Sequence, residues 1–145
     1  VPNYADIRRV LRKMYDLKIP QDGIVDGYGL DEHREAFLQF LSFLKGNLTG
    51  QTSIRVDPSW ASQTALLQGF SQMTLPDLLI REEELPDTLA RLSERVPGVV
   101  MAQNLTHPSA PFALAEIYDA TIETAVSNIY RRDYLNFGFD RWNKT

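Results

Sequence analysis

The sequence predicts a mostly helical chain, and three observations carry that expectation. Apolar residues recur at helical spacing near both ends, at Ile7, Val10, Leu11, Met14 and Leu17, and again at Leu114, Ile117, Tyr118, Thr121, Ile122, Ala125, Ile129 and Tyr130. Phe37, Leu38, Phe40, Leu41, Phe43 and Leu44 would make a second segment apolar around more than half of a helix. Set against these, the best strand is one short run, residues 77–81.

The first helix is predicted over residues 4–17, with Arg8, Arg9, Arg12 and Lys13 opposite its apolar stripe. Pro20, Gly23, Gly27 and Gly29 then interrupt any period, so residues 19–30 read as a loop. A second helix is predicted over residues 31–44, buried on more than one side. Asp31 is its expected N-cap, because its carboxylate can accept a free backbone N–H of the first turn. Glu32 and Glu35 suit the positive end of the dipole, and Gly46 and Asn47 are expected to end the helix.

Residues 49–62 are polar and aperiodic and read as a long loop anchored by Trp60. A short helix is expected over residues 62–70, then a strand through Leu78, Leu79 and Ile80, bounded by Pro76 and a charged turn. Pro86 fits the first turn of a further helix, which Leu85, Leu89 and Leu92 carry to about Arg95 and Pro97-Gly98 stops. Residues 99–102 are a second short strand candidate and residues 107–111 a turn. One unbroken helix is predicted over residues 112–133, followed by an aromatic tail, Tyr134 to Trp142, that folds back on the body.

At 145 residues and 16.5 kDa, the length fits a single domain or partial domain spanning residues 1–145, large enough to bury a core without staples. The chain has no cysteine, which excludes disulfides, thiolate catalysis and cysteine-ligated metals, and fits a cytoplasmic protein. No apolar run approaches the roughly 18 residues of a membrane span, and residues 1–6 carry no signal-peptide pattern, so a soluble chain is expected. A net charge of −4 argues against nucleic-acid binding, which needs a basic surface to displace counterions. Asn-x-Ser/Thr sequons at Asn47, Asn104 and Asn143 read as chance occurrences.

No Gly-rich phosphate loop with a following Lys-Ser/Thr occurs, and no GxGxxG. His33 and His107 are the only histidines and lack zinc or facial-triad spacing, so no metal is expected. His33, beside Glu32 and Glu35, reads as a solvated histidine. No serine sits in a nucleophile-elbow setting, and no catalytic residue is assigned. Arg8, Arg9 and Arg12, with Lys13, have two readings: a solvated helix face, or a contact for sulfate, phosphate or a polyanionic sugar. Glu82, Glu83 and Glu84 stand where a strand-end general base could sit, but a helix cap with solvated neighbours is the favoured reading.

Three segments in order resemble the sulfotransferase superfamily. Pro76-Asp77-Leu78-Leu79-Ile80-Arg81-Glu82-Glu83-Glu84-Leu85, with Leu89 and Leu92, resembles its strand leading into Arg/Tyr-Glu-x-Leu and a leucine-rich helix. Ile129-Tyr130-Arg131-Arg132-Asp133-Tyr134-Leu135-Asn136-Phe137-Gly138-Phe139 resembles the Tyr-x-x-Asp-aromatic ending, with its Phe-Gly-aromatic, of carbohydrate-type and related bacterial members. Arg55-Val56-Asp57-Pro58-Ser59-Trp60-Ala61-Ser62-Gln63 is similar to a loop ending His-Trp-x-Pro-Gln; Trp60 and Gln63 match, while Ser59 replaces the His and Ser62 the Pro.

The resemblance, over about residues 37–142, implies an α/β fold with a P-loop-like parallel sheet and flanking helices, of which this chain would be the mostly helical C-terminal portion. It implies sulfuryl transfer from PAPS, the adenosine phosphosulfate donor, to a hydroxyl or amine acceptor, a carbohydrate first among these, with PAP released and no metal. The family's donor-phosphate loop and its Arg and Ser for the ribose phosphate are not found, so the chain is expected to be inactive alone and to partner an N-terminal half of the same protein. Arg55, Trp60 and Gln63 are the expected acceptor-binding residues. The alternative is a stand-alone helical module that binds a protein or lipid through an apolar groove without catalysis.

Overall fold

The computed structural model describes residues 4–20, 26–95 and 112–142. Among these residues there are seven α-helices: α1 (Tyr4–Tyr15), α2 (Leu30–Leu48), α3 (Gln63–Ser71), α4 (Leu85–Arg95), α5 (Leu114–Ile117), α6 (Ala120–Ile129) and α7 (Arg131–Phe137). A 3-10 turn, Glu82–Glu84, runs directly into α4.

The expected α/β fold is corrected: among the described residues there is no strand and no parallel sheet. Leu78, Leu79 and Ile80 have the composition of a strand, but a strand exists only where a neighbour satisfies its backbone groups. These residues carry no such pairing, and Leu78 and Leu79 are exposed. The candidate strand at 99–102 and the turn at 107–111 lie outside the described residues.

The helix ends follow local chemistry. α1 stops two residues before the end of its apolar stripe, because Asp16 takes a left-handed conformation (φ 51°), which short polar side chains tolerate. The Leu17 N–H then bonds back to the Leu11 carbonyl at 3.3 Å, and both leucines enter the core. α2 begins at Leu30 rather than after an Asp31 cap: Gly29 is the N-cap, and its N–H donates to Glu32 Oε2 at 2.9 Å. α2 also runs past the expected stop at Gly46 and Asn47, because Asn47 is drawn into the interior by its own hydrogen bonds; the turn comes at Gly50, with φ 74°.

The single helix expected over residues 112–133 is three helices. Tyr118 and Asp119 are extended, and Asp119 Oδ1 accepts from the N–H groups of Thr121 and Ile122 at 2.9 and 3.0 Å, which opens α6 as an N-cap should. Tyr130 leaves helical geometry, and α7 starts after it and ends on left-handed Gly138. Apolar periodicity alone does not report such breaks.

The chain divides into two compact units, residues 1–67 with 110–145, and residues 68–109. In the first, α2 packs against α5 and α6. Leu11, Leu17, Leu41, Phe43, Leu44 and Ile122 are buried together, and Trp60, Tyr118 and Tyr130 pack around them. The tail folds back as expected, with the Trp142 ring edge-on to Tyr118 at 4.9 Å. The second unit contains α4, which has no buried residue. No helix among the described residues is long and apolar enough to cross a membrane.

Candidate functional site

The loop before α3 is held by residues far away in sequence. Asp133 of α7, 4% exposed, accepts from the backbone N–H groups of Gln63 and Thr64, both at 2.9 Å. These are N–H groups of the first turn of α3, which have no partner within the helix. Asn136 donates to Thr64 Oγ1 at 3.1 Å, and the Tyr130 hydroxyl donates to the Trp60 carbonyl at 2.8 Å. The Tyr-x-x-Asp ending and the Trp-x-x-Gln loop thus form one joint.

Asn47 holds the other side of the same loop. It is 2% exposed, donates to Thr52 Oγ1 at 2.8 Å and the Ile54 carbonyl at 2.7 Å, and accepts from Trp60 Nε1 at 2.9 Å. Burial at this level also removes Asn47 as a glycosylation acceptor. The Trp60 ring lies edge-on to Phe40 and Phe43 at 6.1 and 6.3 Å. Trp60 is therefore a core anchor, fixed at both its indole nitrogen and its carbonyl.

Trp60 also lines an open groove of about 390 Å³. Ile7, Arg8 and Leu11 of α1 form one wall and His33, Phe37 and Phe40 of α2 the other. His33 is not the solvated histidine the sequence suggests. Phe112 lies 5.1 Å from its ring, and the Tyr28 hydroxyl is 3.0 Å from Nδ1. Burial lowers the His33 pKa and raises that of Tyr28. A phenol that keeps its proton donates to a neutral ring at Nδ1, which leaves the imidazole proton on Nε2.

The arginine cluster is divided between two cavities. Arg8 lines the groove, while Arg9 and Arg12, with Lys13 and Lys18, line a separate cleft of about 520 Å³. Of the expected acceptor residues, Trp60 reaches the groove; Arg55 and Gln63 are exposed and line neither cavity. Glu82, Glu83 and Glu84 are exposed in their 3-10 turn.

A third polar cluster went unnoticed in the sequence. Glu123, 5% exposed, accepts from the Tyr118 hydroxyl at 2.6 Å and the Tyr134 hydroxyl at 3.0 Å. Burial, and then the hydrogen bond to Glu123, push the phenol of Tyr118 strongly upward. Beside it, Arg34 donates twice to Asp119 Oδ2, at 2.9 and 2.6 Å. The Ile122 N–H, then Arg34, lower the Asp119 pKa. These acids hold α6 and the tail to the body. Neither cluster lines the groove or the cleft.

Among the described residues no group of His, Asp and Glu is arranged to hold a metal. Comparison with protein-family models, curated proteins and solved structures finds no match to this chain.

Proposed function

We propose that this chain is the acceptor-side helical part of a PAPS-dependent sulfotransferase of the carbohydrate-type or related bacterial kind, acting in the cytoplasm. The observation that carries the reading is the joint at Asp133. Two segments that resemble the family separately, about 70 residues apart, meet through Asp133 on Gln63 and Thr64 and through Tyr130 on Trp60. A shared structural task gives both motifs one physical reason to occur in the same chain.

The transfer itself breaks the bond from sulfur to the bridging oxygen of PAPS, forms a bond from sulfur to the acceptor oxygen or nitrogen, and releases PAP; the acceptor proton passes to a base. Such a step needs cations around the donor. The phosphate loop that would supply them does not occur in this sequence. The chain alone is expected to be inactive, with donor binding supplied by an N-terminal half of the same protein. Its own contribution is the groove, where Trp60 and Phe37 offer apolar surface and Arg8 and His33 polar groups for a carbohydrate hydroxyl.

The groove also favours a second reading, a module that binds an amphipathic helix or a lipid chain. Fluorescence separates the two. In a Trp142→Phe background, emission reports Trp60 alone. Titration with mono- and disaccharide acceptors is expected to give a saturable change. A response to an amphipathic peptide or to phospholipid vesicles, with none to any saccharide, would favour the second reading and contradict the first.

A further inference from the structure

We propose that a hollow between the end of α1 and the C-terminal half of α2 binds the pyranose ring of a neutral saccharide, and this stands whether or not the transferase reading holds. The hollow has a volume of about 430 Å³, in the range of small-molecule sites. Tyr15 and Asp16 form one side, Gln39 and Ser42 of α2 another, and Gln51 and Thr52 the far wall. It is a different place from the Trp60 groove, although Leu17 borders both. Lys18 N–H donates to Gln39 Oε1 at 3.0 Å, and the chain then continues to Ile19, which lines the groove with His33 and Phe37 nearer the start of α2. The hollow extends the other way, from Gln39 toward Gly46.

The far wall is built by the way α2 ends. Gly50 takes φ 74° and turns the chain back. Gln51 N–H then donates to the Gly46 carbonyl at 2.8 Å, and the buried Asn47 donates to Thr52 Oγ1 at 2.8 Å. Across the hollow, Gln39 is held by the Lys18 N–H, and the Tyr15 ring lies edge-on to the buried Phe43 at 4.9 Å. Walls fixed before the ligand arrives reduce the ordering cost of binding.

The chemistry of the lining narrows the ligand. Among the described residues that line the hollow there is no Lys, Arg or His, and Asp16 brings a carboxylate, so an anion finds no countercharge there. The Gln51 amide and the hydroxyls of Ser42 and Tyr15 can each donate and accept, and they make no hydrogen bond within the described chain. An apolar ligand would desolvate these groups without replacing their bonds with water. Sugar hydroxyls also donate and accept, and their arrangement around one ring suits partners that converge from three segments. Ionised Asp16 accepts from a hydroxyl. The half-buried Tyr15 ring offers apolar surface to the C–H groups of the sugar, whose hydrogens suit the negative face of an aromatic ring.

The test is nitrogen-15 NMR titration of the chain with glucose, maltose, sorbitol and glucose 6-phosphate. Glucose and maltose are expected to shift the backbone amides of Ser42, Gly46, Gln51 and Thr52 and the Gln51 side-chain amide saturably, with no weakening as salt rises. Sorbitol carries hydroxyls without the ring and should bind about fivefold more weakly or worse, and glucose 6-phosphate no more tightly than glucose. The double substitution Ser42→Ala, Gln51→Ala should weaken maltose about fivefold or more, as the loss of hydrogen bonds to a ligand requires. Both side chains are exposed, and unchanged amide signals from α6 would show that the variant is folded. Absence of saturable shifts at these amides, or maltose binding unaltered in the folded double variant, overturns the site. Equal binding of sorbitol and glucose overturns the assignment to a ring, and tighter binding of glucose 6-phosphate overturns the assignment to a neutral ligand. The Trp60 indole N–H signal reports on the groove in the same spectra. Saturation at Trp60 without shifts at Gln51 and Thr52 overturns this site and leaves the transferase reading standing, whereas saturation at Gln51 and Thr52 with Trp60 unmoved supports this site and counts against that reading.

Discussion

Asn47 makes three hydrogen bonds with almost no contact with solvent. Asn47→Ala would leave the Trp60 indole N–H without its partner and the Ile54 carbonyl with only the longer bond from the Thr52 hydroxyl, at 3.4 Å. Each buried group left unpaired costs about 1–3 kcal/mol, so a loss of about 3 kcal/mol is expected in urea unfolding. A loss below about 1 kcal/mol would mean that water replaces the side chain. His33 gives a pH prediction. Its folded pKa is lowered by burial, below an ordinary value of about 6.5. The unfolded chain therefore takes up the proton first as pH falls. The stability contribution of neutral His33 is complete above pH of about 6.5 and declines below it until the folded ring also titrates. Thermal melts compared between pH 7.5 and 5.5 should show a fall that is smaller in His33→Gln.

At the scale of elements, α3 is held to α7 by the Asp133 carboxylate and by the bond from Asn136 to Thr64. Asp133→Ala removes the acceptor for two first-turn N–H groups, and cap losses cost about 0.5–2 kcal/mol, so about 2 kcal/mol is expected for this buried case. Circular dichroism and urea denaturation check it; an unchanged midpoint would show that α3 does not need its cap. The sequence made the existence of most helices legible, because apolar spacing reports which face a helix buries. It did not reveal their ends. The stop of α1 rests on the left-handed Asp16, the length of α2 on the buried bonds of Asn47, and the division of the last helices on the cap at Asp119. Each of these is decided by one side chain and its partners, which leave no period. The expected sheet failed for the same kind of reason: composition can nominate residues 77–81, but a strand is defined by a neighbour. The site was legible in part. Trp60 and the arginines were visible as residue types, while the separation of Arg8 from Arg9 and Arg12, the partial burial of His33 and the Glu123 cluster needed the folded chain.

At the scale of the molecule, the buried cluster belongs to the unit made of residues 1–67 and 110–145, whose closure joins sequence-distant segments. In the other unit, α4 buries no residue. Elements with few buried apolar groups open at low free energy. Hydrogen exchange should therefore protect the amides of α2 strongly and those of α4 by at least a hundredfold less; equal protection would show that α4 is stabilised as part of the main cooperative unit. Beyond stability stands the proposed part of this helical chain in sulfuryl transfer. Calorimetric titration of the protein expressed from its complete reading frame with PAP, the product nucleotide, decides it. Saturable one-to-one binding is expected, and no detectable binding by that folded protein at any PAP concentration would overturn the proposal.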